Sequence, residues 1–78
     1  MPLLDELRAV IDSSAVEKKK TSTFHSLVLV HAADLEGIGA DEVCRRLGMQ
    51  KTWETEFSKM ISIYKRLAEL GYSIQKSP

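Results

Sequence analysis

The chain has 78 residues, 44% of them hydrophobic, with eleven basic and eleven acidic side chains and a formal net charge of zero. That length allows one small domain with a single core and excludes a multidomain enzyme. The neutral balance argues against a dedicated nucleic-acid binder, because such proteins draw much of their affinity from basic side chains that release phosphate counterions.

One cysteine, Cys44, excludes an internal disulfide framework and fits a reducing compartment. The longest apolar run, "SLVLVHAADL", is too short to span a bilayer and contains His31 and Asp34. The opening "MPLLDELRAV" lacks the basic start of a secretory signal. The expected location is therefore the cytoplasm of a bacterial-type cell, with no membrane partner.

In chain order, Leu3, Leu4, Leu7, Val10 and Ile11 form an apolar stripe at helical spacing, with Asp5, Glu6, Arg8 and Asp12 opposite. About ten residues are too few for a stable isolated helix, so the segment either docks or stays mobile. "SSAVEKKKTST" follows as a polar, lysine-rich linker, and residues 1–20 are assigned as a docking segment plus linker ahead of a helical domain at 21–74 and a tail at 75–78.

The next helix is expected from Thr23 to Glu36, capped by Thr21, Ser22 or Thr23 and stopped by Gly37. Phe24, Leu27, Val28, His31 and Leu35 share one face, while Leu29, Val30, Ala32 and Ala33 fill most of the remainder. A helix apolar nearly all round is covered on more than one side. Either the N-terminal helix closes over it or another protein does.

A short helix from Ala40 to Leu47 comes next, with Val43, Cys44 and Leu47 facing inward and Gly48 in the left-handed position that ends it. The last helix should run from Thr52 to Leu70 before Gly71, roughly 28 Å long at 1.5 Å per residue. Trp53, Phe57, Met60, Ile61, Tyr64, Leu67 and Ala68 make its inward stripe, and Ile63 and Leu70 leave an apolar edge on its flank. Tyr72 and Ile74 supply at most one extended segment, too little for a two-stranded wing. The expected fold is all-α: a small helix-turn-helix-like domain of three to four helices, without a wing.

The stretch "DEVCRRLGM" carries the motif. Cys44 is the small residue at the helix crossing, Gly48 follows four positions later, and Val43, Leu47 and Met49 are the apolar flanks. The second half departs from the pattern, because Glu54 stands where an apolar residue is usual and Trp53 turns inward instead. Groove reading needs Arg, Lys, Asn or Gln at the start of the second helix. Here Lys51 and Lys59 are offset by Glu54 and Glu56, which the pattern turns outward, leaving Arg45, Arg46 and Lys18–Lys20 as the remaining cations.

Catalytic, metal and cofactor chemistry is not expected. His25 and His31 are six apart, which puts them on different sides of a helix, and His31 falls within an apolar stripe. Cys44 has no His or Asp placed to activate it and reads as a small core residue. "EGIGADE" is a helix connection, not a phosphate loop, and no small-molecule site is evident.

Residues 24 to 74, through the apolar run before "HAADLEG", then "RRLGM", then Trp53 with "EFSKM", resemble a helix-turn-helix-like family of unknown function from proteobacterial mobile elements. Within it they resemble small quorum-sensing antiactivators of rhizobial integrative and conjugative elements. The resemblance implies a protein that binds and blocks transcriptional activators: a LuxR-type regulator, an activator of excision and transfer genes, or both. It supplies no binding motif. The candidate partner surfaces follow from the apolar excess alone: Leu3, Leu4, Leu7, Val10 and Ile11; Leu29 and Val30; Ile63 and Leu70. The same stripes could instead close on each other within a four-helix domain. The alternative function is a small DNA-binding regulator of a mobile element, using Arg45, Arg46, Lys51 and Lys59.

Overall fold

A computed structural model describes residues 2–16 and 18–73. The described residues form five helices: α1 (Pro2–Val16), α2 (Lys20–Val30), α3 (Ala32–Leu35), α4 (Ala40–Arg46) and α5 (Trp53–Glu69). No strand occurs among the described residues, so the all-α fold without a wing stands; Ile74 lies outside them. α2 packs along α5, α1 lies against α2 and α4, and α4 crosses α5.

α1 is longer than its apolar stripe. "SSAV" continues the helix rather than starting a linker, and Ser14 is the reason this is possible: its hydroxyl donates 2.7 Å to the Ile11 carbonyl while the residue is buried. A serine whose polar atom is satisfied within its own helix can extend the core face at i+3 from Ile11. Leu4, Leu7, Ile11 and Ser14 then lie on one buried line.

α1 ends on a two-bond closure. The Lys18 N–H bonds to the Ala15 carbonyl at 3.1 Å and the Lys19 N–H to the Ser14 carbonyl at 3.0 Å. This arrangement needs a left-handed residue, and the position is filled by Lys18 with φ 58°. The connection to α2 is consequently much shorter than the sequence suggested. Thr21, Ser22 and Thr23 do not cap α2: its cap residue is Lys19, with no side-chain cap bond, and the Ser22 hydroxyl instead donates to the Lys19 carbonyl.

The expected single helix from Thr23 to Glu36 is two, α2 and α3, separated at His31 (φ −104°, ψ 17°). Valine and histidine are weak helix formers, and the ladder yields where Val28, Val30 and His31 cluster. Phe24, Val28, Ala32 and Leu35 nevertheless all reach the core, each with no exposed surface. His31 itself is half-buried.

α4 and its turn follow the sequence pattern closely. Val43, Cys44 and Leu47 are buried, and the Gly48 N–H bonds to the Arg45 carbonyl while the Met49 N–H bonds to the Cys44 carbonyl at 2.8 Å. Gly48 takes φ 71°, and a Cβ there would stand 3.2 Å from the Arg8 guanidinium of α1. α5 closes the same way on Gly71, with the Tyr72 N–H bonded to the Leu67 carbonyl at 2.9 Å. One core thus unites all five helices, from Leu4, Leu7 and Ile11 to Phe57 and Ile61.

Candidate interaction face on the last helix

α4, the turn around Gly48 and α5 reproduce a helix-turn-helix frame, with Phe57 buried at the position where the motif has an apolar residue. At the preceding apolar position the frame is filled from another direction. Trp53 meets Phe24 of α2 edge to face, with ring centroids 5.1 Å apart and planes at 71°. This contact seats the first turn of α5 and leaves Glu54 half-buried at the side, bordering Cys44 and Met49.

The glutamates do not both turn outward, as the pattern suggested. Glu56 is half-buried and leans to α2, with Oε2 3.4 Å from His25 Nε2, while its other oxygen lies 3.8 Å from Lys59 Nζ. The two rings of Trp53 and Phe24 flank His25 at 6.5 and 6.1 Å. Burial beside Glu54 acts on the neighbouring thiol too: desolvation first, then the Glu54 charge, pushes Cys44 up to about 11. That is a packed thiol, held far from the thiolate form that a nucleophile or metal ligand requires.

The cations of the frame are tied to carboxylates. Arg45 donates to both oxygens of Glu42 at 2.7 Å, and Arg46 lies 3.8 Å from the same carboxylate. The hydrogen bond from Arg45 holds Glu42 below its ordinary value, and the two arginines add to the effect. This i, i+3 and i, i+4 arrangement is a spacing the sequence displays. Lys51 and Lys59 are exposed on the outer side of the frame, Lys59 sharing Glu56 with His25.

The apolar surfaces divide sharply. Leu4, Leu7 and Ile11 are in the chain's own core, at 2, 3 and 0% exposure, and Leu3 is half-buried against it. In this fold they close over α2 within the chain's own core, so a polar Leu7 would disrupt the domain rather than report on binding. Val10 remains on the outer side of α1, 48% exposed. Leu29 and Val30 are half-buried on α2, and Val30 comes together with Ala33, Tyr64, Leu67 and Tyr72 around a shallow hollow. Ile63 on α5 and Leu70, the residue that caps it, are 43 and 54% exposed.

Met60 and Leu67 extend that edge. The sequence assigned them to the inward stripe, yet they are only half covered, and with Ile63 and Leu70 they recur at i, i+3, i+7 and i+10. The signal that could have found them is this three-four alternation, which keeps one edge of a helix apolar beyond the width a small core covers.

No helix among the described residues is long and apolar enough to cross a membrane. No group of three or more metal-ligating side chains forms among them either. Five helices around one core, with a helix-turn-helix frame at α4 and α5, define a small all-helical domain of the helix-turn-helix-like class. The chain belongs to the HTH-like domain family, whose match runs over residues 2–69 and so takes in α1 as well as the frame. No curated protein and no solved structure matches it significantly.

Proposed function

We propose that this chain is a regulator that acts by binding protein: an antiactivator of the QseM type, which sequesters a transcriptional activator by covering apolar surface. Membership of a helix-turn-helix-like family supports a regulatory, non-enzymatic role. The observation that carries the choice of partner is the pairing of the frame's cations. Arg45 and Arg46 share Glu42 and Lys59 lies beside Glu56; with Asp41 and Glu54 also on this face against Lys51, the surface that would meet phosphate carries no net positive charge. Affinity for DNA rests on cations free to replace counterions. α5 and its cap meanwhile expose Ile63 and Leu70.

The experiment is co-purification of the full chain with candidate activators of the two proposed kinds, a LuxR-type regulator and an activator of excision and transfer genes. A stoichiometric complex, together with loss of activation in a reporter assay, is expected. Failure to bind either activator, with the helical signal intact, overturns the proposal.

The alternative is a small DNA-binding regulator of a mobile element, favoured by the α4–turn–α5 frame itself and by exposed Lys51. It requires a shift of the chain's own promoter region at low salt, with an affinity that falls steeply as salt rises and a slope reduced by Arg45→Ala or Arg46→Ala.

A further inference from the structure

Met60, Ile63 and Leu67 of α5 and Leu70 at its C-cap, which keeps helical dihedrals, follow the spacing of the a and d positions of a coiled coil. The seam is about 15 Å long at 1.5 Å per residue. On its inner side lie residues that pack into the domain, Tyr64 and Phe57, so that flank is closed. On its outer side, at the positions that flank such a seam, stand Lys59 and Arg66, with side chains 61 and 66% exposed. Each has one carboxylate on its own helix, Glu56 at 3.8 Å and Glu69 at 3.2 Å, and both cations remain open to solvent beyond it.

We propose that this seam is a docking site for one amphipathic helix of a partner, with an apolar stripe at a and d spacing and carboxylates along the flank that faces Lys59 and Arg66. The inference rests on the protein-binding reading above and adds to it the surface and the partner's chemistry. The charge pattern selects the occupant. A second copy of this chain laid antiparallel on the seam would set Lys59 and Arg66 against the same two cations, which is the arrangement coiled coils use to reject a pairing. An acidic flank meets the same side chains with opposite sign. The seam also adjoins the hollow around Val30, Leu67 and Tyr72, which continues the apolar surface onto α2.

The test uses the full chain, labelled for amide NMR, and two designed helical peptides. Both carry leucine at a and d; one has glutamate and the other lysine on the flanking positions. The glutamate peptide is expected to shift the amides of Met60, Ile63, Leu67 and Leu70. It should bind roughly fivefold more tightly than the lysine peptide at low salt, the sum of two partly screened rim pairs. Ile63→Asp and Leu70→Asp, both at exposed positions, should abolish the shifts while circular dichroism is unchanged, and Val10→Asp on α1 should leave them intact.

Shifts centred on α1, equal affinity for the two peptides, or no binding overturns the seam. So does self-association in sedimentation that Ile63→Asp removes, because the second copy would then be the occupant. The two proposals fail separately. A chain that captures an activator and ignores the peptides loses the seam alone. One that takes the glutamate peptide and captures neither activator loses the antiactivator role alone.

Discussion

Trp53 and Phe24 meet edge to face with centroids 5.1 Å apart, and this contact fixes how the last helix begins. It joins the start of α2 to the start of α5, two segments about thirty residues apart in sequence. Phe24 has no exposed surface and Trp53 is the only tryptophan, so its emission reports on this junction alone. Phe24→Leu keeps an apolar side chain and removes the ring contact. It is expected to cost about 1–2 kcal/mol and to change Trp53 emission in the native state. Phe24→Ala should cost about 3–5 kcal/mol, a large share of the stability of so small a domain. Urea titrations followed by far-ultraviolet circular dichroism and by fluorescence give both values; a Phe24→Leu chain with unchanged emission would place Trp53 elsewhere.

Lys18 takes φ 58° where a glycine would be unstrained, and Gly48 takes φ 71° in the same kind of closure. The two positions predict opposite signs. Lys18→Gly relieves the left-handed side chain and is expected to stabilise the domain by up to about 1 kcal/mol, reduced by the greater freedom glycine has when unfolded. Gly48→Ala introduces the strain and presses on Arg8, and should destabilise by about 1–2 kcal/mol. Thermal melts of the two variants beside the parent chain decide this.

The Cys44 thiol is expected to resist reagents until the chain unfolds. Its ordinary value of 9.0 is raised to about 11 in the fold. Protonated thiol is therefore favoured by the native state, and this contribution to stability is complete below 9.0. It falls away as pH rises towards 11. At pH 8 a disulfide reagent should modify the native chain far more slowly than the chain in denaturant. Cys44→Ala should flatten the loss of stability on the alkaline side. Equal rates in native and denatured chains would contradict the packing of α4.

Glu42 pairs with both Arg45 and Arg46 and offsets one of their two charges, which makes it the sharpest probe of the DNA question. Glu42→Gln leaves Arg45 and Arg46 unpaired and raises the net charge from zero to +1. Gel-shift measurements at low salt should show no complex for the parent chain and weak binding for the variant, fading steeply with added salt. A parent chain that already binds its promoter tightly would favour the alternative function.

The helix-turn-helix frame was legible because it depends on local signals: Val43, Cys44 and Leu47 at helical spacing, and a glycine where the backbone must turn left-handed. The limits of α5 were equally clear, set by Thr52 before it and Gly71 after it. The N-terminal third was harder to read. "SSAV" has linker composition, and it reads as helix only once Ser14 is seen buried on the core face with its hydroxyl satisfied at the Ile11 carbonyl. The stripe of Leu4, Leu7 and Ile11 and the apolar back of α2 pointed equally to each other and to a partner, since periodicity gives a face and not its occupant. The exposed edge was half legible. Ile63 and Leu70 stand out, while Met60, packed against the core, and Leu67, half-buried beside the hollow on α2, were hidden in the inward stripe.

Arg8 lies over the glycine of the turn, and the leucines of its helix lie under α4. The motif is thus roofed by a segment that precedes it by some thirty residues. A fragment starting at Thr21 would retain every residue of the motif and open Phe24, Val28, Val43 and Leu47 to water. Anyone grafting this domain onto another protein, or trimming it to its recognisable part, should carry the first helix along. The smallest piece that resembles a helix-turn-helix is shorter than the smallest piece that can stand as one.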